Sequence, residues 1–380
     1  MNRDTLREDE ALLRDAVREF VDREITPNAA RWDEEGRYPR ELLPRLGGLG
    51  WLGAGFPEEV GGSGGGAVHY ALLCSELGQG SAGVALGVYV HTALACAAVY
   101  HLGTVEQRAR ILPAALKGER IGCWAYAEPG AGADMASVQT RARREGTDWV
   151  LDGQKLYITN GPFADFVVAV VSTDPEQGLK GLSLFVVERG CEGMSTGPPM
   201  KKLGMGASEM SEIVFARCRV PDSARLGEEG TGFLEALKVL TLGRIAAASF
   251  AVGLMRAALA AALEYTRERV QFGKPLAKQQ FVRFTLAEMA TRTEASWHLT
   301  LHAARLADAG ERHDIPASMA KLFATQAATW VCERALHLSG AHGYMLESPA
   351  QRFYRDCKVL ELGEGTTEIQ RETIARSLGI

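Results

Sequence analysis

The sequence predicts an α+β protein: an N-terminal helical domain over residues 1–120, a middle antiparallel β domain over 121–230 and a C-terminal four-helix bundle over 231–380. Three observations carry that prediction. Apolar residues recur at helical spacing from the start of the chain, the pattern turns strand-like at Ile121, and long Ala- and Leu-rich segments return from Gly232. With 380 residues, 46% hydrophobic and 23% charged, the chain can support two or three domains and a large core.

The first domain opens with LREDEALLRDAVREFVDREITP. Leu12, Leu13, Val17, Phe20 and Val21 fall at helical spacing before a stop near Pro27. A short helix and a Gly-rich loop follow, and helix resumes from His69 through Leu77. Ala82 to Tyr100 carries no charged residue and is long enough to cross a bilayer. Its Gly83, Gly87, His91 and Thr92 favour instead a helix buried in a helical core, so no membrane span is expected. The segments IGCWAYAE, DWVLDGQKLYITNG, ADFVVAVVS, GLSLFVVE and SEIVFARCRVP are rich in β-branched and aromatic residues and are expected as strands. Asp152-Gly153 is a two-residue hairpin signal, and FVVAVVS reads as a strand buried on both faces. Four long helices with short connections, three from Gly232 and the last after Glu364, are expected to form the bundle.

A net charge of -5 offers no basic field for nucleic acid. Seven cysteines, odd in number and never spaced as CxxC, argue against a disulfide scaffold or structural zinc and fit reduced thiols in a cytoplasm. The charged start MNRDTLREDEALLRD has no signal-peptide core. GGSGGG at 61–66 is expected to be a flexible surface loop, because no strand precedes it and no Lys-Ser or Lys-Thr closes it. It also holds the one GxSxG match, centred on Ser63, without the strand and helix of a nucleophile elbow. His298 and His302 stand four apart on a predicted helix but lack a third ligand, so no metal site is expected.

The chemistry-bearing candidates lie in loops. Glu364 sits between Gly363 and Gly365, where the backbone is sterically open to another molecule. Thr367 and Gln370 have capping-box spacing, which starts a helix beside it. Such an acid is either a positioned general base or a charge stabilised by a helix N-terminus. AEPGAGAD (127–134) and YITNG (157–161) each leave a strand, RERVQFGKPLAKQQ (267–280) surrounds a Gly-Lys-Pro turn, and LSGAHGY (338–344) turns between helices. Each has a local structural explanation of its own.

In this order, with PEEVGG (57–62), KLG (202–204), RVP (219–221), YRD and EGTTEIQR, these blocks resemble the acyl-CoA dehydrogenase family of flavoproteins along essentially the whole chain. The resemblance implies the three-domain fold already reached from periodicity, and FAD between the β domain and the bundle. Trp124, Tyr126, Ala127, Gly132 and Ala133 would border the flavin and pyrophosphate, with Tyr157 and Thr159 beside the isoalloxazine. Arg269, Phe272 and Gln280 would reach the cofactor of an adjacent subunit, Arg269 by its bidentate fork at the pyrophosphate. His337, Gly340 and Ala341, with Thr366 and Glu368, would close on the adenosine side. Glu364 then resembles the family's base, which removes the α-proton of an acyl thioester while hydride passes to the flavin. A minority branch carries its base one residue before an arginine that corresponds to Arg244; here that residue is Gly243. The family also implies acyl-CoA as substrate, an electron-transferring flavoprotein as acceptor and a homotetramer, or at least a dimer.

Several positions depart from the family pattern. Ala127 and Ala133 replace hydroxyl residues, Tyr157 a tryptophan, Thr241 an aspartate near the pantetheine, His337 a glutamine and Gly363 an aromatic. On the substrate side the resemblance implies Ala133, Thr241, Arg244, Gly363 and Gly365. The departures point to a short, branched or polar acyl group, or to one on an acyl carrier protein. An oxidase or flavin monooxygenase of the same fold is the other alternative.

Overall fold

A computed structural model describes residues 6–380. Its N-terminal part comprises α1 (Glu8–Phe20), α2 (Ala29–Glu35), α3 (Leu42–Gly48), α4 (Ala67–Gly80), α5 (Ala82–Tyr89), α6 (Ala97–Leu102) and α7 (Val105–Leu116). Glu8, Asp9 and Glu10 place negative charge on the positive end of α1. Val17 and Phe20 face the core, and buried Glu10 meets Arg305 Nη2 of a later helix at 2.6 Å. Helical turns continue past Pro27, which marks the break before α2. The uncharged stretch runs from α5 through a wide turn at Val90–Cys96 into α6. By length and composition Ala82–Leu102 could cross a membrane, but 94% of its most apolar window is buried inside the protein. The 61–66 loop lies at the surface, as expected, with Gly61, Ser63 and Gly64 exposed, and is tied to the preceding segment. Ser63 N donates to Gly53 O at 3.0 Å and its hydroxyl to Gly50 O at 2.6 Å, so the glycines serve close approach.

The strands are β1 (Gly122–Ala125), β2 (Arg141–Glu145), β3 (Asp148–Thr159), β4 (Phe166–Ser172), β5 (Leu182–Glu188), β6 (Met194–Thr196), β7 (Met210–Pro221) and β8 (Arg225–Leu226). Their order is β6-β7-β3-β2-β4-β5-β8, with β1 also on β4. Most neighbours are antiparallel; β1–β4 and β2–β4 are parallel. Every residue of β4 is buried, as its continuous apolarity predicts. The expected Asp152-Gly153 hairpin does not form. The chain reverses instead at Gly146-Thr147, where Glu145 pairs with Asp148, and Asp152-Gly153 lies inside β3 at a bulge. Gly153 is needed there because a Cβ would stand 2.6 Å from the Thr140 Cα.

The C-terminal part contains α8 (Gly232–Glu268), a small hairpin of β9 (Val270–Gln271) and β10 (Lys274–Pro275), α9 (Gln280–Asp308), α10 (Asp314–Tyr344), α11 (Pro349–Cys357), α12 (Val359–Leu362) and α13 (Thr367–Ser377). The first three bundle helices are 37, 29 and 31 residues long, whereas the fourth, α13, has only 11. The α12–α13 turn lies against the first third of α10, at Lys321. That turn carries Glu364.

Candidate active site

Glu364 adopts φ 58°. For a side-chain-bearing residue this left-handed geometry costs about 1–2 kcal/mol and persists only where the surroundings impose it. Gln370 Nε2 donates to the carbonyls of Glu364 and Gly365, each at 3.1 Å, and Lys321 Nζ donates to Gly365 O at 2.7 Å. The expected capping box is thus displaced. Thr366 is the cap, accepting from Ile369 N, and Gln370 folds back to clasp the turn.

Glu364 is half-buried, but its Oε1 is cut off from solvent and has no hydrogen-bond partner among the described residues. The oxygen fits a gap left by Gly243. A Cβ there would stand 2.3 Å from Glu364 Oε1 and 3.0 Å from the Tyr89 hydroxyl. A side chain at 243 and the carboxyl of 364 therefore address the same point. Buried Arg244 is anchored through Nη1 on Ser318 Oγ at 3.1 Å. Burial raises the Glu364 carboxyl to about 7, opposed by the Tyr89 hydroxyl, Arg244 and Lys321. The Tyr89 hydroxyl lies near enough to favour the carboxylate, although neither it nor Glu364 Oε1 has a hydrogen-bond partner among the described residues. Burial also lowers Lys321 to about 8. A carboxyl near 7 in a dry corner is poised to exchange a proton at neutral pH. The Glu364 amide donates to no protein group among the described residues, which leaves it for a ligand oxygen. Of the neighbouring substrate-side candidates, Gly363 is exposed, Gly365 half-buried, and the Thr241 hydroxyl donates to Leu237 O at 2.8 Å on its own helix.

A second set of candidates gathers at the ends of β1 and β3. Trp124 is buried in β1, and Tyr126 bonds the Gly132 carbonyl across the loop that follows. Leu156 N donates to Ala127 O at 2.8 Å, which brings this loop beside Tyr157 and Thr159. A buried ion pair, of which Glu128 lies in the AEPGAGAD block and Lys155 is marked by no motif, holds it. The buried Lys155 ammonium contacts Glu128 Oε1 at 2.6 Å and the Tyr126 carbonyl at 3.1 Å. Glu128 also accepts from the amides of Gln139 and Thr140 at 2.6 and 3.0 Å. Burial lowers Lys155 to about 8 despite Glu128. The amides of Gly132 and Ala133 are exposed and donate to no protein group among the described residues, and Tyr157, at φ 62°, exposes 61% of its surface. Free amides beside an exposed aromatic ring fit a flat ring system with an anionic tail. Buried Asn160, at φ 65°, donates through Nδ2 to Gly87 O at 2.9 Å. That bond ties the end of β3 to α5, two residues before Tyr89, and so joins this region to the Glu364 corner.

The remaining candidates lie elsewhere. Arg269, Phe272 and Gln280 are exposed on and around the β9–β10 hairpin, with Phe272 at its tip 96% exposed. They follow the C-terminal end of α8, roughly 37 Å along the helix from Gly243 at 1.5 Å per residue. His337, Gly340 and Ala341 belong to that same distant end. Gly340 kinks α10, and His342 stacks on Tyr265 at 5.4 Å, four residues before Arg269. No hydrogen bond among the described residues joins them to Thr366 or Glu368, which flank the Glu364 turn. His298 and His302 are both exposed on α9.

Comparison with known proteins fits this arrangement. The chain matches the family models described as acyl-CoA dehydrogenase N-terminal, middle and C-terminal domains over residues 7–119, 123–218 and 230–379. It is 38% identical over 371 residues to an acyl-CoA dehydrogenase of Bacillus subtilis, covering 98% of each chain. Butyryl-CoA dehydrogenase of Megasphaera elsdenii superposes with a TM-score of 0.97 at 35% identity over 100% of both chains. The prolyl acyl carrier protein oxidase AnaB superposes with a TM-score of 0.95 at 30% identity, over 99% of this chain and 100% of that one. The chain belongs to the acyl-CoA dehydrogenase family, flavin-dependent oxidoreductases whose cofactor is FAD.

Proposed function

We propose that this protein dehydrogenates an acyl-CoA thioester to its trans-2-enoyl thioester, with Glu364 as the base that takes the α-proton. The carrying observation is the Glu364 carboxyl, raised to about 7 and placed with an unpartnered oxygen in the gap over Gly243. Its deprotonated form accepts the α-proton. Its backbone N–H, free of protein partners, would bond the thioester oxygen as enolate charge develops, an interaction of about 2.7–4 kcal/mol in comparable sites. Arg244 and Lys321 keep the corner positive while that charge forms. FAD, when bound, supplies the acceptor for the β-hydrogen as hydride. Trp124, Tyr126, Ala127, Gly132, Ala133, Tyr157 and Thr159 would hold its ring end, Thr366 and Glu368 would approach it from the Glu364 turn, and Arg269, Phe272, Gln280 and the 337–341 turn would come from a second copy. An electron-transferring flavoprotein as acceptor, a tetrameric assembly and a cytoplasmic setting complete the proposal, by kinship and by the seven free cysteines.

Anaerobic titration of the purified protein with butyryl-CoA tests this reading. The yellow flavin band should bleach, whereas Glu364→Gln should retain FAD and slow bleaching by at least about 100-fold. Unchanged reduction in Glu364→Gln would move the base elsewhere. A substrate on a carrier protein is the second reading, favoured by the likeness to AnaB and by Thr241 in place of an acid. Turnover of one acyl group on CoA and on carrier protein separates them, and a clear preference for CoA removes the second.

A further inference from the structure

The Glu364 corner holds a second buried group with an unmet hydrogen bond. Tyr89 of α5 is 3% exposed, and its ring packs on Phe250 of α8 with centroids 5.8 Å apart. Its hydroxyl has no hydrogen-bond partner among the described residues. A buried hydroxyl is costly to leave unpaired, and so is a buried carboxylate oxygen. Here both lie within 3.0 Å of the point that a Cβ on Gly243 would occupy. Two cations face Glu364 as well. Arg244 from α8 is held through Nη1 on Ser318 Oγ, with its Nε unpartnered among the described residues, and Lys321 from α10 donates to the Gly365 carbonyl. Glu361 and Glu368 on the flanking segments, and Asp314 at the start of α10, act on Lys321 and Arg244.

We infer that Tyr89 is a positioning residue for the base: its hydroxyl donates to the Glu364 carboxylate and holds it over Gly243, facing the substrate's α-carbon. The inference rests on the reading of Glu364 as the base. Burial and the Glu364 charge keep the Tyr89 phenol protonated far above its ordinary range, so it remains a donor at every working pH. The bond favours the charged form of Glu364, which keeps part of the carboxyl ionised at neutral pH despite burial.

Tyr89→Phe keeps the ring on Phe250 and removes only the donor. The measurement is the anaerobic rate of flavin reduction by butyryl-CoA as a function of pH. The acidic limb should move up by about one pH unit, so that reduction below it falls roughly tenfold and recovers at higher pH. A merely structural role would lower the rate at all pH values alike. An unmoved limb in a variant with a native flavin spectrum overturns the inference. If Tyr89→Phe does not fold, Gly243→Ala, whose methyl would stand 2.3 Å from Glu364 Oε1 and push the carboxyl away from the Tyr89 hydroxyl, should raise the limb likewise; an unmoved limb there also overturns it. If Glu364→Gln is inert and the Tyr89→Phe limb is unmoved, only the role of Tyr89 fails. If Glu364→Gln reduces flavin at the wild-type rate, the base assignment fails first.

Discussion

At the scale of single residues, function and stability pull Glu364 in opposite directions. Its carboxyl titrates near 7 in the fold against 4.5 in an unfolded chain. Between those values the folded state binds more protons than the unfolded state, so stability is fully present below 4.5 and declines as pH rises through 7. Glu364→Gln should therefore be more stable than the wild type at pH 8, by about 1–3 kcal/mol, and equal to it near pH 4. Thermal unfolding of both proteins across that range checks the sign. With Glu364 as the proposed base, catalysis should run the other way, because a base acts as its carboxylate: flavin reduction should rise with pH through about 7. Gly363 poses a different question. A Cβ there would meet only Val359 O, at 3.5 Å, an ordinary contact. Gly363→Tyr should fold, narrow the exposed space beside the base and depress turnover of branched more than of straight acyl-CoAs. Equal losses for both would separate Gly363 from specificity.

At the scale of elements, the buried Glu128–Lys155 pair fixes the loop after β1 to β3. Lys155→Met strands Glu128 without its partner, a change that costs about 3–5 kcal/mol in comparable buried pairs. The variant should lose FAD on dilution and unfold at lower temperature. Adding Glu128→Gln should recover part of the stability, since the unpaired charge is then gone. If the double variant is no better than the single, the loss lies in packing. Element type was legible in the chain where burial or composition marks it: β4 from continuous apolarity, α1 from helical spacing and α8 from an Ala- and Leu-rich run with few breakers. Local chemistry misled where tertiary contact overrode it. Asp152-Gly153 reads as a turn but serves a bulge against Thr140, and Thr367-Gln370 reads as a cap but Gln370 is drawn onto the Glu364 carbonyl. Glu364 and the strand-end loops stood out because glycines and hydroxyls mark them. Tyr89 did not, because one aromatic in an uncharged helix looks like core until its neighbour across the bundle is known. The strained backbones at Tyr157, Asn160 and Glu364 were equally invisible, since none is a glycine.

At the scale of the whole molecule, the long helix α8 bears on how many chains the proposed site needs. It carries Gly243 and Arg244 against the base and delivers Arg269 to the opposite end, roughly 37 Å away by helical rise. One chain cannot bend those points together, because α8 is continuous and much of its length is buried in the bundle. Phe272, almost wholly exposed beside Arg269, is the kind of side chain a second copy would cover. If each site takes Glu364 from one subunit and Arg269 from another, two inactive variants should complement. Glu364→Gln lacks the base but keeps the arginine; Arg269→Ala keeps the base but grips FAD poorly. Unfolded together in equal amounts and refolded with FAD, half of the random pairs are mixed, and each mixed pair rebuilds one intact site of two. About a quarter of wild-type butyryl-CoA activity should return for a twofold-symmetric arrangement. The variants refolded separately and then combined should remain inactive. Activity that stays at the level of the separate variants would mean that each chain completes its own site, and Arg269 would then need another role.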